Sequence, residues 1–370
     1  MNKIIAILVV PLLFLPTLIS SQEVHDDFQG TFRGMVTEVV SREEKDIPGT
    51  DTKHIYQVIN AEILGGPKKG EVIQIENDYL ELKKGQKFYF NYNIYVDGSE
   101  SYTVTNVDRR SGLVFLVLVF IFAVIFFGGW QGVRSLVALF GSFFAIFYVL
   151  MPGLINGWDP ILASSLVASA ILFIAIFFTH GFNRESTVAY VGTMVAVLLT
   201  SIFSMFAVRL TSLTGITADE AVYLNFNTSG TLDFTGLLLG AIIIGVLGVL
   251  DDIAVTQSAV VSELYDSNPN MERKEVYKRA MRIGREHVGA LVNTLVLAYT
   301  GASLPVLLYL KTSDLSFETI INLEVFSTEI VRAVVGSLGL ILTVPIVTIL
   351  ASIYLKGHKS NHLHTHTHSH

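Results

Sequence analysis

Residues 240–263 read GAIIIGVLGVLDDIAVTQSAVVSE, an apolar run in which Asp251 and Asp252 stand side by side before the apolar pattern resumes. On a continuous helix Asp252, Thr256 and Glu263 fall on one stripe at spacings of four and seven, with Ala259 between them. Counted from Phe234 at the helical rise, Asp251 lies about 26 Å along the axis, near the edge of a hydrocarbon core of about 30 Å. Two readings follow. Either the acids sit inside a spanning helix as a functional site, or they mark its cytoplasmic end and residues 253–263 lie along the interface. An ionisable side chain at membrane depth is costly and marks function by default. Neighbouring carboxylates repel, so keeping both charged requires a cation, a basic partner or a shared proton. Oxygen-only donors suit protons or hard cations. Asp251, Asp252, Thr256, Gln257, Glu263 and, from the next span, Asn293 are therefore the candidate ion- or substrate-binding residues.

The rest of the chain supports a membrane setting. Of 370 residues, 51% are hydrophobic and only 15% charged, against about 25% for soluble domains. The formal charge of −7 and the lack of a basic surface argue against nucleic acid, and the lack of cysteine excludes disulfides, thiolate nucleophiles and Cys-held metals. Apolar runs predict seven helical spans, at 113–129, 133–151, 161–179, 187–210, 234–255, 288–310 and 326–355. Gly236-x-x-x-Gly240 has the small-residue spacing that lets helices approach closely. In the sixth span Asn293, Thr294, Tyr299 and Thr300 are polar insertions, and Gly301 to Pro305 predicts a break of the kind that exposes backbone in transporters. Arg209 and the Glu329/Arg332 pair read as structural charges.

Alternate loops divide Lys and Arg unequally. One set holds Arg134, Arg184, Arg273, Lys274, Lys278, Arg279, Arg282, Arg285, Lys356 and Lys359, whereas the opposite set holds only Lys311. The positive-inside rule then puts the C-terminus in the cytoplasm and the N-terminal domain outside. Within the basic loop 262–286, Asn268 and Pro269 read as the start of a helix.

Residues 1–21 have a positive start and a 16-residue apolar run, the layout of a secretory signal, with an uncleaved anchor as the alternative. Residues 22–110 contain five β-branched and aromatic runs separated by turn sequences, which predicts a small OB-like β barrel. Residues 356–370 form a His-rich tail in which His362, His364, His366 and His368 are candidate metal ligands. Nothing in the sequence calls for another cofactor. Walker, zincin and nucleophile-elbow motifs are absent, so no enzyme is expected.

The segments GVLDDIAVTQ at 248–257 and GREHVGALVNTLVLAYTGASLP at 284–305 resemble those of the YibE/F-like bacterial membrane proteins, and GPKKG at 66–70 extends the resemblance into the β domain. The resemblance implies a multi-pass protein of the bacterial plasma membrane and little about mechanism. The expected fold is mixed: a polytopic α-helical bundle of about seven spans with a small external β domain. The expected function is transport of an ion or small solute through the carboxylate pair, with lipid as its surroundings and a homo-oligomer as a possible assembly. The rival is a non-transporting scaffold or sensor whose external domain binds a ligand or protein.

Overall fold

The computed structural model describes residues 29–46, 53–78, 80–95, 98–217 and 219–357. The signal segment 1–21 and the histidines at 362, 364, 366 and 368 lie outside the described residues. The chain divides into two units, 1–120 and 121–370.

In the first unit, β1 (Gln29–Asp46), β2 (Lys53–Ile63), β3 (Val72–Asn77), β4 (Lys87–Ile94) and β5 (Glu100–Val107) form one antiparallel sheet in the order β3-β2-β1-β4-β5. The long β1 pairs with β4 through Gln29–Met35 and with β2 from Gly34 to Asp46. Irregularities between Val36 and Glu38 and between Val39 and Ser41 bend it between these partners. Alternate residues Gln57, Ile59, Ala61 and Ile63 of β2 turn inward and meet Phe88, Phe90 and Tyr92 of β4, the period-two pattern of a half-buried strand. Gln57 is the polar member of that face. Its Nε2 donates to the Leu82 carbonyl at 3.1 Å and its Oε1 accepts from the Leu82 amide at 2.8 Å, so the buried amide is satisfied at both ends. Gly66, at φ +89°, turns so tightly beside the Phe32 ring that a Cβ would stand 2.5 Å from it. Among the described residues no hydrogen-bonded ladder joins β3 to β5, so the sheet is an antiparallel half-barrel.

The second unit is helical, and its first helix begins in the preceding unit. The helices are α1 (Arg110–Phe144), α2 (Met151–Ile155), α3 (Pro160–Phe173), α4 (Arg184–Leu210), α5 (Asp219–Asn227), α6 (Phe234–Ser267), α7 (Arg273–Ala302), α8 (Leu304–Thr312), α9 (Phe317–Asn322) and α10 (Glu324–Tyr354). Among the described residues five helical stretches are long and apolar enough to cross a membrane, and the pair α7–α8, bent by 61°, makes a sixth if counted as one span. Seven were expected. The difference lies in 110–155, a single 46-residue apolar stretch in which only Gly129 leaves helical geometry, at φ 53° and ψ −136°. No polar loop separates its halves.

Capping fixes where the helices start. Asp159, Asn183 and Asp233 accept from Leu162, Ser186 and Gly236 amides at 2.8, 2.7 and 2.9 Å, ahead of α3, α4 and α6. The expected start at Asn268 is corrected. Asn268 instead accepts from the Asn270 amide at 3.2 Å in a turn, and α7 begins at Arg273. Small residues set the helix approach. A Cβ at Gly240 would meet Ser164 Oγ at 2.3 Å, one at Gly192 would meet Val347 at 2.6 Å, and one at Gly339 would meet Thr200 Oγ1 at 2.3 Å. Helix α6 lies at the centre, with Ile243, Val246, Leu247 and Leu250 packed against Val167, Leu172, Val197 and Leu340.

Candidate functional site

Helix α6 runs unbroken through Asp251 and Asp252, as the stripe required. Successive residues leave a helix about 100° apart, so the two carboxylates point in different directions. Asp251 is half-buried, and its Oδ1 is enclosed with no hydrogen-bond partner; Asp252 is exposed. Neither forms an ion pair among the described residues. Asp252, Ala259 and Glu263 share an open face with Thr256 at its margin. Gly245 and Gly248 continue that face, and a Cβ at Gly248 would meet nothing.

Gln257 belongs elsewhere. It is fully buried and donates through Nε2 to the Ala280 carbonyl at 3.0 Å and to Thr348 Oγ1 at 2.7 Å, tying α6 to α7 and α10. Gly284 is pressed against it, with a Cβ there 2.9 Å from Gln257 Oε1. The same half of α6 makes three further polar ties. Ser258 Oγ donates to the Glu185 carbonyl at 3.0 Å, Ser262 Oγ to Glu185 Oε1 at 2.7 Å, and Tyr265 Oη to the Ser352 carbonyl at 2.8 Å. The four-residue spacing of Ser258 and Ser262 was the available sign that a polar partner faced them.

Asn293 is exposed on α7, and its side-chain amide has no partner among the described residues. On the same helix the His287 Nδ1 is enclosed without a partner. His180, in the turn before α4, has its imidazole held below the usual value by burial, with the Asp252 carboxylate acting in the opposite sense. No three His, Asp or Glu side chains stand together in metal-holding geometry among the described residues.

The break at Gly301–Pro305 is present as the 61° bend between α7 and α8. Beside it a groove of about 850 Å³ opens between these helices and α10. Its wall includes Tyr299, Ser303 and Glu329, and the Glu329 Oε1 pairs with Arg332 Nη1 at 2.9 Å. The Arg332 guanidinium lies 5.9 Å from the Tyr299 ring centre. A second groove of about 520 Å³ is lined by Arg184, Thr187, Val188, Val191, Leu350 and Tyr354. Neither Asp251 nor Asp252 lines either groove.

In the β domain two carboxylates are held by close partners, while His54 Nδ1 and Asn93 Oδ1 are enclosed without one. Glu100 accepts from Lys68 at 2.5 Å, Tyr102 at 2.7 Å and Tyr92 at 2.9 Å. These bonds, the lysine's first, pull its carboxyl down to about 2 and raise Lys68 above its usual value. Burial pushes the Tyr102 phenol up to about 12. Asp108 is likewise held at about 2, by Arg110 at 2.6 Å, with Arg33 at 3.9 Å.

Among curated proteins and solved structures, none matches the chain. The family model described as YibE/F-like protein matches residues 116–357, which take in every helix from α2 to α10, both grooves and the carboxylate pair. By that match over more than half of its length, the chain belongs to the YibE/F-like family.

Proposed function

We propose that this protein is a transporter or permease-like conductor of an ion or small solute, without enzymatic chemistry, and that Asp251 and Asp252 form its cation or proton site. One observation carries the reading: Asp251 is half-buried in a helix at the centre of an apolar bundle with an enclosed oxygen that no donor satisfies. A carboxylate left so is costly unless a cation or proton completes it. Asp252 and Thr256 put further oxygens on the adjoining open face of the same helix, and the bent pair α7–α8 is the kind of interrupted span that lines solute paths.

In this reading Gly129 separates two spans, 110–128 and 130–155, each long enough to cross, and with the bent pair the total is seven. The β domain is read as an OB-like barrel opened between β3 and β5, external to a bacterial plasma membrane, with the C-terminus in the cytoplasm. The support is the strand order and the ten-to-one bias of Lys and Arg between alternate loops.

The test is flux in proteoliposomes. Asp251→Asn keeps the volume and removes the charge, so it abolishes ion-dependent flux while the protein stays folded in detergent. Undiminished flux with both aspartates changed to asparagine overturns the site. The topology is tested separately in this cysteine-free chain: Ser99→Cys labels with an impermeant thiol reagent in intact cells, whereas Gln131→Cys and Ser267→Cys label only after permeabilisation.

A scaffold or sensor remains the second reading because neither groove reaches the carboxylates. Absence of flux in the unmodified protein across a broad ion and solute panel would favour it.

A further inference from the structure

The groove beside the α7–α8 bend has a gradient of polarity along its length. Its lining on α10 runs from Val325 to Ile341, about 24 Å at the helical rise, close to the depth of one bilayer leaflet. Toward the start of α10 the lining includes Glu329, and Tyr299 and Ser303 from the facing helix; Arg332, outside the lining, pairs with Glu329 and lies 5.9 Å from the Tyr299 ring centre. Toward the far end the walls are Val292, Val296, Val334, Leu338 and Ile341. Ser337 sits between, nine-tenths buried, and its Oγ has no hydrogen-bond partner although it lines the groove. An unpaired hydroxyl in an apolar wall, below an ion pair at the mouth, is a lining built for a molecule with a long apolar body, an acceptor part-way down and a charged end.

We propose that this groove binds one phospholipid with a zwitterionic phosphoethanolamine head. Arg332 takes the phosphate and Glu329 the ammonium, while an acyl chain lies along Val334, Leu338 and Ile341 and its ester carbonyl accepts from Ser337 Oγ. Charge complementarity selects this lipid. Glu329 lines the mouth and its partner Arg332 stands beside it, so a zwitterion satisfies both, an anionic head leaves Glu329 facing like charge, and a choline head has no N–H to give it. The occupant comes from the leaflet at which α10 begins. The inference stands apart from the carboxylate site.

The experiment is native mass spectrometry of the full chain released from nanodiscs holding equal amounts of dioleoyl phosphatidylethanolamine, phosphatidylcholine and phosphatidylglycerol. One phosphatidylethanolamine stays bound, in about tenfold excess over the other two, as expected when one charged hydrogen bond of about 1.4 kcal/mol distinguishes them. Ala333→Trp fills the groove and removes the retained lipid without changing the melting temperature; Leu338→Trp serves the same purpose if the first variant fails to fold. Glu329→Gln leaves Arg332 unopposed and reverses the preference toward phosphatidylglycerol, a change that a purely structural ion pair would not produce. Equal retention of the three lipids by the unmodified protein, or an unchanged preference in Glu329→Gln, overturns the proposal.

Discussion

Glu100 in the β domain and Asp251 in α6 are both carboxylates, and the chain treats them oppositely. Glu100 accepts from a lysine and two tyrosines at the surface of a sheet. Asp251 sits in an apolar bundle with an enclosed oxygen and no donor. Water already solvates a surface acid, so its partners there add order and little energy. Inside a bundle the missing donor has a large effect; the neighbouring Gln257, Ser258, Ser262 and Tyr265 each donate to another helix, although the Gln257 Oε1 is enclosed without a donor like the Asp251 Oδ1. The two regions therefore differ in how a carboxylate is satisfied.

The largest expected effect is on the packing that both regions share. Phe88 has no exposed surface and stands at the centre of the sheet's core, so Phe88→Ala costs about 3–5 kcal/mol and accelerates hydrogen exchange throughout β1 and β4 of the intact chain. Retained protection there would mean that the sheet is not held by this core. In the helical unit Gly339→Leu forces side-chain atoms into Thr200, where even a Cβ would stand at 2.3 Å, and overpacking of this kind costs about 1–3 kcal/mol. Thermal denaturation in detergent reads it. An unaltered melting temperature would show that α4 and α10 separate freely, which would also remove the frame that positions α6.

Between these lies Gln257. Replacing it with leucine strips a donor from the Ala280 carbonyl and from Thr348 Oγ1 while keeping the bulk. The Ala280 carbonyl lies inside α7 and Thr348 Oγ1 donates to the Val344 carbonyl, so both keep a partner and each lost bond is worth about 0.5–1.5 kcal/mol. The comparison sharpens here: Gln257→Leu lowers stability and leaves any flux per folded molecule intact, whereas Asp251→Asn does the reverse. Stability and flux falling together in both variants would erase the distinction between tie and site.

That distinction was partly legible in the sequence. The five strands lie within a few residues of the runs that predicted them, because Gly, Pro and Asp-Gly turns punctuate the domain. The continuity of α6 follows from apolar periodicity on both sides of the acids. Gln257 is five residues from Asp252, about 140° around a helix, so its separation from the stripe was also available from spacing. Its partners were not, since Ala280 and Thr348 come from helices 23 and 91 residues away and spacing on one helix does not name its neighbours. The same limit hid Glu185 and the groove. The span count differs for another reason: residues 110–155 contain apolar sequence on both sides of Gly129, so hydropathy gives the length and only backbone geometry gives the break.

The smallest expected effect tests the surface half of the comparison. In the folded protein Glu100 titrates at about 2, down from 4.5, because Lys68 and the two tyrosine hydroxyls favour its charged form. A carboxyl whose folded value is depressed contributes stability above its unfolded value, and that contribution disappears as pH falls through the folded value. Local protection of β4 and β5 should therefore fall between about pH 4.5 and 2, measured by hydrogen exchange of the intact chain after correction for intrinsic rates. Glu100→Gln removes this slope. It leaves neutral-pH stability nearly unchanged, because the carboxylate is solvent-screened and the single glutamine oxygen still accepts from one of the two tyrosines. Collapse of the sheet at neutral pH in Glu100→Gln would mean that the surface cluster is a tie of the Gln257 kind and that solvent does not level the difference between the two regions.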